Sequence, residues 1–561
     1  MLSNVKALLE VGHLIARWAA SSALSTADSN AISACPFHAL WAKRKPEKGN
    51  QADLPGVSNR ETHPFEELPA PRALPLIGTT LDVIRFGGAP RIHEYCDHRH
   101  KQLGPIYTEK LGDVESVFVA DSGLIQQVYA NEGKYPQHMV PEAWTIYNEK
   151  KGIKRGLFFM EGPEWQECRR ALNNVFLRPK TVSDHVPVFN EVIGDMVSRW
   201  GNISADNNGY LNNLERELYT WSIESLGAMI FGRRLGCIST AQHNTETEAS
   251  VRPESIHEFV SCVQQIFAES AKMTTVSPKL ASVLRLPMWR NFERAAGRAL
   301  ELARQLVEEN VHKLNSVSHG GVHTEAGSSL IAQLIESNIS AEELVSIVAD
   351  LFLAAADTTS HATQWAFYLL SWHPEAQQKL LKEVQNAVGK GQTDIPEEAL
   401  VNMPYVKAVI KETLRLYPVA PFLTRILDRD FTLNGYRIPA GKYILMSLYT
   451  MGRDPKNFSN PQAFCPERWL RENRAESQAN SWACLPFGLG SRSCIGRRVA
   501  EIQMQFLLTR TVQRFEIAPG QEAKSNSTSS RVLKGSLSSS KSPRRRPRAG
   551  PFSMLPSYIY I

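Results

Sequence analysis

The spacing of hydrophobic and polar positions divides the chain into a long helical region and a few short strand-like segments. From about residue 160 to residue 415 the pattern is mainly that of amphipathic helices. Ile106 to Leu111 and Ser116 to Ala120 are instead rich in β-forming residues, and Gly112-Asp113 separates them as in a hairpin. A further strand is predicted from Phe431 to Pro439. The pattern as a whole predicts one large, mainly α domain with a minor β part.

One helix of this region has a clear start and a clear stop. Ser340-Ala-Glu-Glu343 has the spacing of a capping box, which satisfies backbone N–H groups of a first helical turn. His373-Pro374 ends the pattern, because the residue before a proline disfavours helical geometry. A helix is therefore predicted from Ser340 to Trp372. Mobile loops are predicted for two polar stretches with few large apolar residues, 238–256 and 316–328.

The two ends of the chain differ in composition from its middle. Residues 1–45 are basic and rich in Ser and Ala, with only Glu10 and Asp28 as acids and no apolar run long enough to span a membrane. This composition is typical of a mitochondrial transit peptide, and a disordered tail is the alternative. A secretory signal fits less well, because the apolar run is short and broken. A polar linker is predicted for residues 46–67 and a disordered, Ser- and Arg-rich tail for 519–561.

Overall charge and cysteine usage narrow the classes of function. The 561 residues contain 63 Lys and Arg against 57 Asp and Glu, so no general affinity for polyanions follows and no nucleic-acid partner is expected. The 8 cysteines are scattered, without a C-x-x-C pair or zinc-like spacing. Free thiols in a reducing compartment fit this usage better than a disulfide framework.

A glycine-rich loop near the C-terminal end carries the strongest chemical signal. It reads LPFGLGSRSCIG from Leu485 to Gly496. Its glycines let the backbone bend around the sulfur of Cys494 and let a flat cofactor approach closely. Phe487 can shield that sulfur from water, and Arg492 can reach an anionic group at the edge of a cofactor. A thiolate held in this way suits axial ligation of haem iron, whereas a lone cysteine would otherwise be interpreted as a buried structural thiol.

The pattern Phe-x-x-Gly-x-Arg-x-Cys-x-Gly in this loop resembles that of the cytochrome P450 family. The resemblance extends over about residues 68–518 and implies the P450 fold, a haem-thiolate monooxygenase and haem b as cofactor. It makes Cys494 the metal ligand. The other residues that it places at the cofactor within the loop are Phe487, Arg492 and Gly496.

A second resemblance lies in the middle of the predicted helix 340–372. Ala354-Ala-Ala-Asp357-Thr358 is similar to the oxygen-activating segment of the family, with Ala355 where Gly is usual. The resemblance implies that Thr358 holds water near the reacting dioxygen and that Asp357 is the acid of a proton relay. The alternative is a threonine that only bonds back to its own helix.

Three charged residues resemble the structural lock of the family. Glu412 and Arg415 are three positions apart and so share a helix face. Arg468 lies in a Cys-Pro-Glu-Arg-Trp segment, with Trp469 where the family commonly has Phe. The resemblance implies that all three side chains pair, whereas an isolated pair of this kind is usually an exposed and weak one.

The resemblance also implies a set of residues around the haem propionates. Trp165 and Arg169 are one helical turn apart, and Arg425 follows Pro421-Phe-Leu-Thr. Together with Arg492, the arginines would balance two carboxylates in a partly dry site. For each arginine alone, a surface salt bridge is the alternative.

Basic residues indicate the branch of the family. Lys407 and Lys411 lie four apart on one predicted helix face, and Arg497 follows the loop cysteine. In mitochondrial members, lysines at the matching positions bind an acidic 2Fe–2S ferredoxin of the adrenodoxin type, which an NADPH-dependent reductase supplies with electrons. An ordinary solvated face is the alternative. The resemblance implies a mitochondrial protein on the matrix side of the inner membrane, in peripheral contact with it.

Residues 69–180 resemble, more narrowly, the arthropod ecdysteroid 2-hydroxylases. The expected function is therefore hydroxylation of an ecdysteroid precursor, and the side chains expected to shape the pocket include Trp144, Phe352, Val419 and Phe422. Two alternatives stay open: a different mitochondrial sterol hydroxylase, and a haem- or sterol-binding protein without turnover. The second arises because the tail departs from the pocket-closing strands of the family. An isomerase or peroxide-dependent enzyme fits less well, because it would not need the acid–threonine pair.

Overall fold

The computed structural model describes residues 62–519, except for 76, 113, 154–155, 179–182, 208, 212, 239–252, 275, 319–329, 336–338, 340 and 474–478. The predicted transit peptide, most of the predicted linker and nearly all of the predicted tail lie outside the described residues. Ser340 of the capping box and most of both predicted loops lie outside them as well. The predicted domain boundaries stay predictions.

Helices account for most of the described chain, so the mainly α fold class is confirmed. Short 3₁₀ turns occur at Phe65–Glu67, Ala89–Arg91, Pro466–Trp469 and Ser481–Ala483. The α-helices, in chain order, are α1 (Thr80–Phe86), α2 (Ile92–Leu103), α3 (Ser122–Ala130), α4 (Glu142–Lys151), α5 (Gly162–Phe176), α6 (Val186–Asp206), α7 (Leu214–Phe231), α8 (Pro253–Lys272), α9 (Pro278–Val283), α10 (Pro287–Ser318), α11 (Leu330–Ile335), α12 (Ala341–Trp372), α13 (Pro374–Val388), α14 (Glu397–Val401), α15 (Pro404–Leu416), α16 (Leu448–Met451) and α17 (Arg497–Arg514).

The longest helices form the frame that holds the site. Helix α12 ends at Trp372, as the His-Pro signal predicts. It packs against α7 on one side and α10 on another, and α8 packs in turn on α10. A helix covered from several sides must be apolar over most of its circumference, and α12 is correspondingly rich in Leu, Ala, Val and Phe. No helix among the described residues is long and apolar enough to cross a membrane.

A four-stranded sheet lies beside the helices, in the order β1 (Ile106–Leu111), β2 (Val114–Val119), β6 (Tyr443–Ser447) and β3 (Phe422–Ile426). The predicted hairpin pairs β1 with β2 in antiparallel register, with Ile106 opposite Val119. Strand β6 joins β2 in parallel and β3 antiparallel. Because the β2–β6 pairing joins segments more than 300 positions apart in the chain, the hydrophobic pattern of either strand does not reveal it.

Some sequence-based boundaries were wrong. The strand predicted from Phe431 to Pro439 is a hairpin of β4 (Phe431–Leu433) and β5 (Tyr436–Ile438). Its turn residues, Asn434 and Gly435, both have positive φ, as a two-residue hairpin turn requires. The predicted loop 238–256 ends early, because Pro253 begins α8, and proline is well suited to a first helical position. The loop predicted from 316 begins late, because α10 continues to Ser318.

The core has a helical part and a sheet part, and the Cys494 loop lies where they meet. The helical part contains fully buried tryptophans such as Trp200 and Trp221. Phe487 and Ile495 of the loop pack against it. Cys484, just upstream, belongs to the sheet part. The loop is therefore held from both sides, which positions Cys494 rigidly.

Candidate active site

Backbone hydrogen bonds fold the Cys494 loop into a tight turn. The N–H of Cys494 donates to the carbonyl of Phe487 at 2.8 Å, and that of Gly488 donates to the carbonyl of Leu485 at 2.9 Å. Gly488 and Gly490 have φ values of 68° and 76°, a region that other residues rarely adopt. A Cβ on Gly490 would also lie 2.3 Å from a carboxylate oxygen of Glu132. Gly488 and Gly490 are thus required by the shape of the loop.

The sulfur of Cys494 is open on one side and enclosed on the others. Its side chain is exposed, yet the surrounding protein desolvates it and so raises the pKa of the thiol. A hydrogen bond from the N–H of Gly496 and the positive charge of Arg169 act in the opposite direction. Gly496 also precedes the first turn of α17, whose N-terminal dipole favours negative charge. The loop therefore favours the neutral thiol by desolvation, and it can stabilise the thiolate that forms when a metal binds.

Helix α12 supplies a small, flat surface at Ala354. This alanine is exposed although Phe352, Leu353 and Ala356 around it are buried, so it faces an open space beside α12 (the recess). Thr358, one turn further, is partly exposed, and its hydroxyl donates to the carbonyl of Ala354 at 2.9 Å. The threonine hydroxyl therefore stands at the same recess as the alanine surface.

The side chains of Asp357 and Thr358 have no described hydrogen bond to each other, whereas a directly linked acid–threonine pair would make one. Its carboxyl group is fully buried and accepts a hydrogen bond from the Tyr219 hydroxyl of α7. Burial raises the pKa of Asp357 to about 7, and the Tyr219 hydrogen bond opposes this shift. The two predicted catalytic residues are thus adjacent in the sequence, but their side chains lie in different surroundings: the Asp357 carboxyl group is buried and Thr358 is partly exposed.

The predicted propionate residues form one cluster of cations. The guanidinium of Arg492 lies 4.0 Å from the centre of the Trp165 ring and donates to the carbonyls of Pro136 and Met160 at 3.0 and 2.8 Å. Burial lowers the pKa of Arg492 to about 10, and the charges of Arg425 and Arg169 add to this effect. Arg169 and Arg425 are buried and Arg492 is partly buried, and their positive charge around Arg492 favours binding of an anion.

Sequence reasoning missed two residues of this cluster. Glu132 pairs with Arg425 at 2.7 Å, with both side chains nearly buried. His138 is surrounded closely, and neither of its ring nitrogens has a hydrogen-bond partner among the described residues. Burial and the charges of Arg492 and Arg425 lower the pKa of His138 to about 3. No local motif announces either residue, because their partners lie far away in the chain.

These observations fit a flat, anionic cofactor with an axial thiolate. The open side of Cys494 offers the ligand, and the surface at Ala354 can accept a planar ring. Anionic groups at the edge of the cofactor would suit the three arginines, because the described contacts pair only Arg425 with a carboxylate. They would also suit the ring nitrogens of His138, which lack described hydrogen-bond partners. The residues present therefore match haem b.

The structural lock is assembled around one buried carboxylate. Glu412 accepts two hydrogen bonds from Arg415, at 2.7 and 2.8 Å, and one from Arg468 at 3.0 Å. Trp469 donates its indole N–H to the same carboxylate at 2.9 Å. The tryptophan at the position where the family commonly has Phe thus adds a hydrogen bond that Phe could not make. The structure brings the three predicted lock residues together.

The predicted basic surface lies on the outer face of α15. Lys407 and Lys411 are exposed while the neighbouring positions of the helix are buried. The Lys411 ammonium lies 4.0 Å from the centre of the Trp469 ring. Arg497 is exposed, pairs with Glu501 at 3.2 Å and lowers the pKa of the Cys494 thiol, so it lies near the loop. The structure thus connects a cationic surface with the lock and with the cysteine loop.

The family profile described as Cytochrome P450 matches residues 68–542. The chain belongs to the cytochrome P450 family. This P450 is 37% identical over 467 residues to "Cytochrome P450 315a1, mitochondrial" of Drosophila melanogaster, covering 81% of this chain and 84% of the relative. It is 33% identical to "Sterol 26-hydroxylase, mitochondrial" of Rattus norvegicus, covering 86% and 89%. It is 31% identical to "1,25-dihydroxyvitamin D(3) 24-hydroxylase, mitochondrial" of the same organism, covering 82% and 86%.

The family fixes the cofactor and the general reaction. This P450 is a monooxygenase with thiolate-ligated haem b, and it is related to mitochondrial steroid and sterol hydroxylases. The bound haem supplies the oxidising chemistry that inserts one atom of dioxygen into a C–H bond. Two of the expected pocket residues are buried and make ring contacts: Phe352 stacks on Phe231, and Phe422 packs edge-on against Phe118.

Proposed function

We propose that this P450 hydroxylates an ecdysteroid precursor at carbon 2, in the mitochondrion. The observation that carries the proposal is the resemblance of residues 69–180 to arthropod ecdysteroid 2-hydroxylases. The identity of 37% with a mitochondrial P450 of an arthropod supports it, since that identity extends over most of both chains. A different mitochondrial sterol hydroxylase is the second candidate, because the sterol and vitamin D hydroxylases match 86% and 82% of this chain, at somewhat lower identity.

In this proposal the residues of the site have distinct tasks. Cys494 ligates the iron, with Phe487 and Gly496 supporting the sulfur. Trp165, Arg169, Arg425 and Arg492 hold the propionates, and His138 joins them. Thr358 orients water at the recess, and Asp357 supplies protons. Glu412, Arg415 and Arg468 hold the protein around the cofactor without taking part in the reaction.

Electrons reach the haem from a 2Fe–2S ferredoxin in this proposal, and an NADPH-dependent reductase reduces the ferredoxin. Lys407, Lys411 and Arg497 form the docking surface. The exposed lysines on the outer face of α15 and the closeness of Arg497 to the cysteine support this assignment. Opposite charges on the two proteins steer them together and make the encounter sensitive to salt.

We place the protein on the matrix side of the inner membrane, in peripheral contact with it. Helix α9 and the residue after it support this placement, because Leu280, Val283 and Leu284 are 38%, 71% and 50% exposed. Large apolar side chains that lie together in water are costly, and a lipid surface would cover them.

Product analysis tests the substrate assignment. The purified haem-loaded protein is incubated with ferredoxin, reductase and NADPH, in parallel with ecdysteroid precursors, cholesterol and 25-hydroxyvitamin D. We expect one added oxygen at carbon 2 of the ecdysteroid and little product from the other two. Efficient hydroxylation of cholesterol or the vitamin, with none of the ecdysteroid, would establish the second candidate instead.

A further inference from the structure

Asp357 is held by two side chains that have no part in the motif around it. Tyr219, on α7, donates its hydroxyl hydrogen to Oδ1 of Asp357. His361, one turn along α12, has Nδ1 at 2.8 Å from the carbonyl oxygen of Asp357 and at 3.6 Å from Oδ1. The rings of Tyr219 and His361 meet edge to face, with centroids 5.7 Å apart. All three side chains are buried.

The remaining carboxyl oxygen, Oδ2, is buried without a hydrogen-bond partner among the described residues. A buried oxygen without a hydrogen bond lowers the stability of the fold, which is unexpected for a carboxyl group whose only role is to link two helices. With Tyr219 bonded to Oδ1, Oδ2 is the oxygen left free to carry a proton of the carboxyl group. The pKa of about 7 means that this oxygen can both hold and release a proton near neutral pH.

A line of ionisable groups leads from this carboxyl group toward the surface. Glu215 precedes Tyr219 by one helical turn on the same face of α7, and it is only half-buried. Its negative charge acts on His361, where it opposes the lowering of the pKa by burial. Among the described residues, Tyr219 of α7 and His361 of α12 thus face Asp357, and Glu215 of α7 lies close enough to act on His361. The other helices packed on α12, namely α8, α10, α11, α13, α15 and α17, add no charged group that shifts the pKa of Asp357.

We propose that Tyr219 and His361 are positioning residues that keep Asp357 as a proton-holding acid, refilled from the surface at Glu215. The inference deepens the proton-supplying role proposed for Asp357 and rests on it. In the step, the Oδ2–H bond breaks, its electron pair stays on the carboxylate, and the proton passes to dioxygen reduced by the ferredoxin electrons. A solvent proton entering beside Glu215 and His361 restores the acid, so each turnover leaves the chain unchanged.

The test compares two variants that break different ties between α7 and α12. Tyr219→Phe removes the hydrogen bond to Asp357. Ser222→Ala is the matched control, because the Ser222 hydroxyl donates to the carbonyl of Ala355 at 3.0 Å and touches no acid. Both are assayed as full-length haem-loaded enzymes at saturating ferredoxin. The measurements are the pH profile of kcat, the peroxide released per NADPH, and the solvent isotope effect on NADPH oxidation.

For the parent enzyme and Ser222→Ala we expect kcat to fall as pH rises through about 7, because Asp357 then loses its proton. In Tyr219→Phe the lowering influence of the hydrogen bond is gone, so this limb moves to higher pH. Peroxide per NADPH should rise several-fold, and the solvent isotope effect should grow. Adding Tyr219→Phe to Asp357→Asn should change none of these quantities further, because both act through one group.

A Tyr219→Phe enzyme with the parent pH limb, peroxide yield and isotope effect would overturn the proposal. So would additive effects with Asp357→Asn. If Tyr219→Phe does not retain haem, His361→Gln decides in its place by the peroxide yield and the isotope effect. Both should rise in His361→Gln, and parent values would overturn the proposal. The pH limb and the solvent isotope effect of NADPH oxidation are measurable even where no panel steroid is hydroxylated, so failure of the substrate assignment remains distinct from failure of this inference.

Discussion

Removing Arg415 tests the lock most directly, because its side chain is fully buried and every hydrogen bond described for it goes to another group of the protein. Arg415→Ala removes both hydrogen bonds to Glu412. It also removes the donor to the carbonyl oxygens of Gly452, Pro461 and Ala463. Glu412 would keep Arg468, Trp469 and the N–H of Cys465 as partners.

The size of the effect follows from these contacts. Breaking a buried ion pair by deleting one partner costs about 3–5 kcal/mol, and whole proteins are stable by only about 5–15 kcal/mol. Arg468→Ala should cost less, about 1.5–3 kcal/mol, because Glu412 keeps its bidentate hydrogen bonds from Arg415. Arg437→Ala is the matched control, since the Arg437–Asp430 pair joins the same groups on an exposed surface and should leave stability close to that of the parent.

The assay is urea unfolding of the haem-loaded proteins, followed by haem absorbance and by far-ultraviolet circular dichroism. Because a bound cofactor makes a single unfolding free energy ill-defined, the order of the midpoints is the decisive quantity. We expect Arg437→Ala to match the parent, Arg468→Ala to fall below it, and Arg415→Ala to unfold first or to be recovered without haem. Equal midpoints for Arg415→Ala and Arg437→Ala would refute the reasoning.

Three further outcomes follow from the site. Cys494→Ser should abolish the red-shifted carbon monoxide band of the reduced protein, and a normal band would remove the ligand assignment. Lys411→Glu should raise the KM for ferredoxin and weaken the salt dependence of that KM. Arg85→Glu, a charge reversal at an exposed site on α1, should change neither quantity, and equal effects of the two variants would contradict the docking surface. Gly490→Ala should lose haem, because strain and a clash with a carboxylate coincide, while Gly435→Ala, strained but with open space, should retain it.

The sequence was sufficient wherever the signal is local. The stop of α12 at His373-Pro374 was predicted correctly, because the steric restriction before proline acts between adjacent residues. The β1–β2 hairpin was predicted from two strand-like segments and their turn. The parallel pairing of β2 with β6 was not, because it joins residues more than 300 positions apart and neither strand names its partner.

The same division holds for the site. The resemblance of short sequence motifs to those of the P450 family pointed to the cysteine loop, the acid–threonine segment and the members of the lock, because each motif lies within a short stretch of the chain. Only the tertiary structure decided which way each side chain faces. It joined Tyr219 to Asp357 across 138 positions and Glu132 to Arg425 across 293. It also left His138 unsatisfied among cations. Burial is the main cause of the pKa shifts of Asp357 and His138, and burial depends on how all the helices pack rather than on any neighbouring residue.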